Sequence, residues 1–368
     1  MLGALHSEAK HPAGGDISSS APIRVLIVDD SVVARAVLSR LLGDHEDIVV
    51  VGQAGSASSA HKILEDKKVD IILLDLEMPG IDGLAALPEL IRASDGARVL
   101  IVSSACADGA ASTISALRLG AADTLLKPGA AQFTGRFAED LVDRLRRIAR
   151  PGAAAQQPSG GRIDARPKAT SARKLECLAI GSSTGGVHAL ARFFRALPKS
   201  FTTPILITQH LPAPFMPYFA GQLVEMTGRP TRVAAPGLQP QPGELLLAPG
   251  DAHMTLVRTG PVIHVRLERK RVESGCMPSV DPMLASIGKV YGASAVGVVL
   301  SGMGRDGLVG AAELVQSGGT VLAQDEASSV VWGMPGAVTN ARLAQAVLPP
   351  EELAIRISQW SEGETAWT

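Results

Sequence analysis

Short apolar runs alternate with helix-like segments along the first part of the chain. Five such runs lie between residues 23 and 127 and read IRVLIV, IVVVGQA, DIILLD, ARVLIVS and DTLLK. Helical periodicity fills the gaps between them. In SVVARAVLSRLLG, for example, Ser31 is placed to cap a helix and Gly43 to end it. Five strands separated by helices predict a doubly wound, five-stranded parallel sheet.

The pattern changes at residues 150–173, RPGAAAQQPSGGRIDARPKATSAR, which are rich in Pro, Gly, Ala, Gln and Ser and have no apolar period. This composition predicts a mobile linker. A second strand–helix series follows over residues 174–362, and it contains the strand-dense segment GELLLAPGDAHMTLVRTGPVIHVRLE. The turn residues and short spacing of that segment predict hairpins. We therefore expect a second doubly wound α/β domain with a β-hairpin insertion.

Composition narrows the class of protein. The 368 residues suit two or three domains, and 35 basic against 36 acidic side chains with 3% aromatic residues argue against a nucleic-acid partner. Cys106, Cys177 and Cys276 form no CxxC pair, so the spacing indicates a reducing compartment and neither a disulfide framework nor a zinc site. Residues 1–22 lack the apolar core of a signal peptide and predict a flexible leader. Without an apolar run of about 18 residues, we expect a cytoplasmic protein that does not span a membrane.

Charged and hydroxyl side chains follow the strands of the first half. Asp29 and Asp30 follow the first strand, Asp75 the third, Ser103 the fourth and Lys127 the fifth. The carboxyl ends of parallel strands share one edge of the sheet. A like-charge pair about 4 Å apart costs roughly 4 kcal/mol at an effective dielectric near 20, so a lysine and a hydrated Mg²⁺ would compensate there. The alternative is that these acids only cap a helix or face solvent.

The segments VLIVDDS, LLDLEMPGIDG, IVSS and GAADTLLKP resemble the receiver domain of two-component response regulators, which has a flavodoxin-like fold, over residues 23–149. The resemblance implies that Asp75 accepts a phosphoryl group from a partner histidine kinase. It also implies that Ser103 senses the phosphate, that Lys127 pairs with it, and that Mg²⁺ is held by Asp29, Asp30, Asp75 and Glu77. The position three before the lysine, usually aromatic in receivers, is Thr124, which argues against an aromatic rotamer switch.

The segment AIGSSTGG, residues 179–186, begins the chemistry of the second half. A glycine-rich turn before a helix could bind a phosphate or present a nucleophile. The dinucleotide-binding pattern fails because Gln209 and His210 stand where an acid should end the second strand, and no Gly-Lys-Ser/Thr completes a phosphate loop. GSSTG fits instead the glycine-x-serine-x-glycine elbow, which presents Ser183 as a nucleophile.

Two further strand ends supply partners for this serine. His210 follows the neighbouring strand and would be mostly neutral at pH 7, so it can act as a base. Asp306 follows the apolar strand 296–300, in SGMGRDG, and would orient the imidazole. Each residue also has an alternative. Ser183 and Asp306 could be helix caps, and the rivals for nucleophile and base are Ser182 and His253.

The segments IGSSTGG, ITQHLP, LAPGDAHM, PSVDPML, GVVLSGMGRDG and AQDEASSVVWGMP resemble the catalytic domain of the bacterial chemotaxis methylesterases, the CheB family. The resemblance implies a triad of Ser183, His210 and Asp306, with Thr184 nearby and the Met303 main chain at the oxyanion site. It implies hydrolysis of glutamate γ-methyl esters on chemoreceptors to glutamate and methanol, and deamidation of receptor glutamines, with no cofactor for hydrolysis.

The same resemblance implies regulation. In the family pattern the unphosphorylated receiver shields the active site, and phosphorylation by a chemotaxis histidine kinase relieves the block. Two alternatives stay open from the sequence. One is an esterase of the same mechanism in another signalling pathway, and the other is a non-catalytic, receiver-controlled module that binds receptors.

Overall fold

The computed structural model describes residues 21–78, 83–103, 107–127, 135–149 and 174–361. The predicted linker at residues 150–173 and all but the last two residues of the predicted leader lie outside the described residues.

The first half forms a five-stranded sheet in the order β2-β1-β3-β4-β5, and all its strand pairs are parallel. The strands are β1 (Ile23–Val28), β2 (Ile48–Ala54), β3 (Ile71–Leu74), β4 (Arg98–Ser103) and β5 (Asp123–Leu126). The helices are α1 (Val32–Gly43), α2 (Ala57–Asp66), α3 (Gly83–Ala93), α4 (Ala107–Leu119) and α5 (Arg136–Ala149). The predicted doubly wound sheet of flavodoxin-like order is confirmed.

Continuous apolar runs give these strands their central positions. All four residues of β3 are buried, as expected for a parallel strand that is covered by helices on both faces. Leu26 belongs to the same buried cluster as Leu87 of α3, whereas Ile27 belongs to a different buried cluster that includes Leu141 of α5. The predicted cap is also confirmed, because the Ser31 hydroxyl accepts a hydrogen bond from the backbone N–H of Ala34 at 3.2 Å.

The second half forms a seven-stranded parallel sheet in the order β14-β13-β12-β6-β7-β9-β8, beside a separate antiparallel hairpin of β10 and β11. The strands are β6 (Cys177–Ser182), β7 (Ile205–Gln209), β8 (Thr231–Val233), β9 (Leu245–Leu247), β10 (His253–Thr259), β11 (Val262–Glu268), β12 (Ala295–Val299), β13 (Thr320–Gln324) and β14 (Ala346–Leu348). The helices are α6 (Gly186–Ala196), α7 (Met216–Thr227), α8 (Val280–Tyr291), α9 (Leu308–Gln316), α10 (Met334–Asn340) and α11 (Pro350–Ser361).

The strand-dense segment divides between two sheets. Its β10–β11 part is the predicted hairpin insertion, but β9 joins the parallel sheet between β7 and β8, so the expectation that the whole segment forms hairpins was wrong. The three leucines of β9 are all buried, and a strand that is apolar on both faces suits a position inside a covered sheet.

The strand order places the functional segments together. β6 lies between β7 and β12, so the chain leaves β6 toward one side of the sheet and later returns on the other. Ligands and catalytic groups in such sheets gather at the carboxyl ends of the strands where the order reverses. In the part of the chain that the structure describes, no helix has both the length and the apolar character needed to cross a bilayer.

Candidate active site and phosphorylation site

A tight turn joins β6 to α6. Gly185 adopts a left-handed conformation at φ 76° and precedes the helix, and a Cβ at this position would lie 2.5 Å from the Cβ of Val330. Only glycine fits such a turn. No side chain caps α6, so the interpretation of Ser183 as a helix cap was wrong. The local geometry is that of a strand–turn–helix elbow.

The two serines of the turn have different surroundings. Ser182 is fully buried, and its hydroxyl donates to Oε1 of Gln209 at 2.6 Å. Nε2 of Gln209 in turn donates to the main-chain oxygen of Ser183 at 2.8 Å. The side chain of Ser183 is partly exposed, and its hydroxyl has no hydrogen-bond partner among the described residues. Ser182 is therefore a structural residue, whereas Ser183 is partly exposed and its hydroxyl is left unengaged within the described residues.

The predicted base and acid meet at the neighbouring strand ends. Nε2 of His210 lies 2.8 Å from Oδ2 of Asp306, and the backbone N–H of His210 donates to the oxygen of Ser182 at 3.0 Å. The second contact fixes the histidine beside the serine turn. No hydrogen bond joins the hydroxyl of Ser183 to His210 within the described residues, and such contacts often form only when a substrate binds.

Asp306 is anchored at the start of α8. Its Oδ1 accepts from the Ser279 hydroxyl at 2.6 Å, and its Oδ2 accepts from the backbone N–H of Val280 at 2.7 Å. The residue before α9 is Gly307, and no side chain caps that helix, so the interpretation of Asp306 as its cap was wrong. Hydrogen bonds from a helix start stabilise the ionised carboxylate.

The electrostatics of the pair favour a protonated imidazole. The pKa of His210 is raised to about 10, so the expectation of a mostly neutral ring at pH 7 was wrong, and the ring acts as a strong base from its neutral form. Burial opposes charge on both members of the pair and is the largest single effect on each, but their mutual hydrogen bond and charge attraction together with the neighbouring hydrogen bonds outweigh it. The pKa of His210 is raised by Asp306 and by contact with Cys276, and the pKa of Asp306 is held below its usual range by His210 and Ser279. Because Asp306 engages Nε2, the ring nitrogen left to accept a proton is Nδ1.

The rival histidine has a structural role. His253 is fully buried, its Nε2 donates to the oxygen of Lys270 at 2.8 Å, and its Nδ1 accepts from the backbone N–H of Ser279 at 2.9 Å. With both ring nitrogens engaged, His253 cannot serve as the base. It supports Ser279, which in turn holds Asp306.

Residues of the segment PSVDPML surround Asp306. The sequence analysis did not predict them as site residues. Besides Ser279, Asp281 lies beside Asp306 and accepts from the backbone N–H of Gly310 at 2.8 Å. Burial and the neighbouring carboxylate raise the pKa of Asp281 to about 7. One indication of a functional role was present in the sequence, namely the similarity of this segment to the CheB family. The spacing of its residues did not show that the segment packs against Asp306.

The glycine-rich loop after β12 packs against the nucleophile candidate. A Cβ on Gly302 would lie 2.9 Å from the Cβ of Ser183 and 2.3 Å from Sδ of Met334. Glycine at this position therefore permits the loop to approach the serine. The next residue is Met303, so the loop brings the main chain of the predicted oxyanion residue near Ser183.

The receiver lies on the serine turn. The Thr184 hydroxyl donates to Oδ2 of Asp123 at 2.7 Å, and the backbone N–H of Gly185 donates to the oxygen of Ala122 at 2.7 Å. Nearby, α4 packs against α6 and α7. Thr184, predicted to lie near the substrate, thus has its hydroxyl engaged by the receiver.

The acidic cluster of the receiver is present at the predicted edge. Carboxylate oxygens of Asp29, Asp30 and Asp75 lie within 4.8 Å of one another. Nζ of Lys127 lies 3.0 Å from Oδ2 of Asp29 and 2.6 Å from Oδ2 of Asp75. Oδ1 of Asp75 also accepts from the backbone N–H of Glu77 at 3.2 Å. Three hard oxygen ligands in one small volume fit Mg²⁺.

Burial and charge oppose one another at this cluster. Burial raises the pKa of Asp75 although Lys127 pulls it down. The pKa of Lys127 is raised by Asp75 and Asp29, which outweigh its burial. Ser103 ends β4 but is fully buried, and its hydroxyl accepts from Thr113 of α4 at 2.8 Å. Thr124, at the position that is usually aromatic in receivers, is also buried, and its side chain is small.

A serine elbow, a histidine–aspartate pair and an attached receiver sheet define a receiver-linked α/β domain with the geometry of a serine hydrolase. The profile of the CheB methylesterase family matches residues 178–357, and that of the response regulator receiver domain matches residues 25–134. The chain belongs to the CheB methylesterase family, which confirms the resemblance predicted from the sequence motifs.

Two relatives align with nearly the whole chain. The chain is 42% identical over 341 residues to protein-glutamate methylesterase/protein-glutamine glutaminase 2 of Caulobacter vibrioides, covering 90% of this chain and 96% of the relative. It is 39% identical over 384 residues to protein-glutamate methylesterase/protein-glutamine glutaminase 1 of Rhodospirillum rubrum, covering 95% and 96%. A crystal structure of the Thermotoga maritima CheB methylesterase catalytic domain is 33% identical and covers 50% of this chain and 98% of that one, with a TM-score of 0.48.

Proposed function

We propose that this chain is a phosphorylation-regulated hydrolase that removes methyl groups from glutamate γ-methyl esters of chemoreceptors and deamidates receptor glutamines. The observation that carries the proposal is the His210–Asp306 pair beside the partly exposed Ser183. The printed names of the relatives, protein-glutamate methylesterase and protein-glutamine glutaminase, support the substrate class.

The chemistry follows from the three side chains. Ser183 attacks the γ-carbonyl carbon while Nδ1 of His210 takes the hydroxyl proton, and Asp306 stabilises the imidazolium. The tetrahedral intermediate expels methanol, or ammonia from glutamine, with the proton that His210 returns. A water molecule then repeats the sequence and releases Ser183 and glutamate. The main-chain N–H of Met303 is the proposed oxyanion donor.

The receiver supplies the regulation. Asp75 accepts the phosphoryl group from a chemotaxis histidine kinase in the cytoplasm, Lys127 pairs with the phosphate, and Ser103 senses it. Asp29, Asp30 and Asp75, with the carbonyl of Glu77, would hold Mg²⁺, which when bound offsets the negative charge between phosphate and carboxylates. Before phosphorylation, Asp123 and Ala122 hold the serine turn and keep receptors from it.

A matched pair of serine variants tests the catalytic assignment. Ser183→Ala should lower methanol release from methylated receptor membranes by about a thousandfold or more, because it removes the nucleophile. Ser182→Ala should lose at most about tenfold, because it removes only one buried hydrogen bond, worth about 1 kcal/mol of stability. Thermal unfolding verifies that both variants fold. Near-normal turnover in Ser183→Ala would refute the assignment.

A further inference from the structure

A cysteine that the hydrolytic mechanism does not use lies at the triad. His210, Cys276 and Asp306 offer one nitrogen, one sulfur and one oxygen ligand atom, all within 4.8 Å of one another. They come from three separate segments, after β7, before α8 and before α9. Cys276 is partly exposed, its thiol contacts the oxygen of Ser274 at 3.8 Å, and it also lies against the imidazole of His210. The thiol is therefore placed to coordinate an ion together with His210.

We propose that these three side chains form an inhibitory zinc-binding site. Zn²⁺ is usually four-coordinate and binds thiolate, imidazole and carboxylate at about 2.0–2.3 Å. Tetrahedral ligand atoms at those bond lengths stand about 3.2–3.8 Å apart. The three atoms here need only small side-chain rotations to reach that spacing. A water molecule would occupy the fourth coordination position, because His210 and Cys276 are both partly exposed.

The ligand types separate this site from the acidic cluster of the receiver. Mg²⁺ prefers the oxygen-only set of Asp29, Asp30 and Asp75, whereas the sulfur of Cys276 favours Zn²⁺. The surroundings also hold the ligands in place. Asp306 is fixed by Ser279 and Val280, as is usual for metal-binding carboxylates.

Inhibition follows from the chemistry of imidazole. A neutral imidazole has one lone pair and one N–H, and coordination uses the lone pair. Whichever ring nitrogen of His210 binds the ion, the other carries the proton, so none is left to accept the proton of Ser183. The thiol of Cys276 gives its proton to solvent as it coordinates. The inhibitory effect rests on the proposed hydrolase function, but binding of the ion does not.

Cobalt titration tests binding independently of catalysis. The full-length protein is kept in excess Mg²⁺, so that the acidic cluster is filled, and Co²⁺ is added. We expect near-ultraviolet thiolate-to-cobalt absorption in the wild type and its displacement by Zn²⁺. Cys276→Ser and Cys276→Ala should both lack the band. Cys177→Ala is the matched control, because Cys177 is buried at the far end of β6 and should leave the band unchanged.

Esterase assays then test the consequence. Each protein is compared with its own zinc-free activity. Zn²⁺ should inhibit the wild type and Cys177→Ala reversibly. The concentration for half-inhibition should rise at least about tenfold in the Cys276 variants, because loss of even an outer-shell partner of a metal ligand costs that much affinity. A missing cobalt band in the wild type, or a band that persists in both Cys276 variants, would overturn the site. A Cys276-dependent band in an esterase that zinc does not inhibit would overturn the inhibitory role of the site. A Cys276-dependent band in a protein without esterase activity would uphold the site and refute the hydrolase function instead.

Discussion

The Asp123 carboxylate joins the receiver to the turn that carries Ser183, and Asp123→Ala tests whether this contact restrains the esterase. Oδ2 of Asp123 accepts from Thr184 at 2.7 Å and from Nη1 of Arg144 at 2.6 Å. The carboxylate is buried, and only the bond to Thr184 crosses between the domains. The substitution therefore removes one direct link and leaves the backbone contact of Gly185 with Ala122 in place.

The expected effect follows from the strength of that link. A hydrogen bond to a charged group contributes about 1.5–3 kcal/mol, and each 1.4 kcal/mol is about tenfold in an equilibrium constant. Loss of the bond should shift the equilibrium between shielded and open forms by about 10- to 150-fold. Basal activity should rise by up to that factor, until the open form predominates. Stimulation by a phosphodonor should fall by the same factor, because less shielded protein remains.

The assay measures methanol release from methylated receptor membranes, with and without a small-molecule phosphodonor. Asp70→Ala is the matched control. Asp70 also forms an ion pair within the receiver, with Arg24 at 2.7 Å, but within the described residues its side chain forms no hydrogen bond to the second domain. A rise in basal activity in Asp123→Ala but not in Asp70→Ala supports the restraint. Unchanged basal activity in Asp123→Ala, or an equal rise in both variants, would refute it.

Two further predictions concern pH and phosphorylation. Burial lowers the pKa of His188, which lies on α6 where α4 of the receiver packs, and it outweighs the Arg118 backbone, which raises that pKa, so the buried arrangement favours the neutral imidazole. The stability of that arrangement is fully present above about pH 6.5 and is lost as the pH falls through the lowered pKa. In the wild type, the ratio of basal to phosphodonor-stimulated activity should therefore rise as the pH falls. In His188→Gln this ratio should change less with pH. Equal pH profiles of the ratio in the two proteins would contradict the prediction. Asp75→Asn, or removal of Mg²⁺ from the wild type by a chelator, should abolish incorporation of a labelled phosphoryl group, and retention of label in Asp75→Asn would move the phosphorylation site elsewhere.

Periodicity was sufficient to predict both sheets because their strands are continuous apolar runs between helices. Sequence periodicity is insufficient to assign short segments. LLL of β9 is compatible with a hairpin strand or with a parallel strand, and only burial on both faces decides between them. A three-residue strand such as β14 carries too little periodicity to be recognised.

The triad candidates were predictable because each follows a strand end, where parallel sheets gather their chemistry. Ser279, Cys276 and Asp123 were not predicted as site residues, because their positions depend on how α8 packs under the loop of Asp306 and how the receiver docks. The cysteine spacing shows no zinc signature for the same reason. Ligands from three distant segments leave no local pattern in a sequence.

The bond between Ser103 and Thr113 has a mechanical consequence. Thr113 lies on α4, and two residues further along that helix Ser115 accepts from Gln222 of α7 at 3.1 Å. A Ser103 hydroxyl that rotated toward a phosphorylated Asp75 would release Thr113 and loosen one attachment of α4 to its sheet. The helix that contacts the second domain is thus bonded to Ser103, the proposed phosphate sensor, and such a coupling needs no aromatic ring at Thr124.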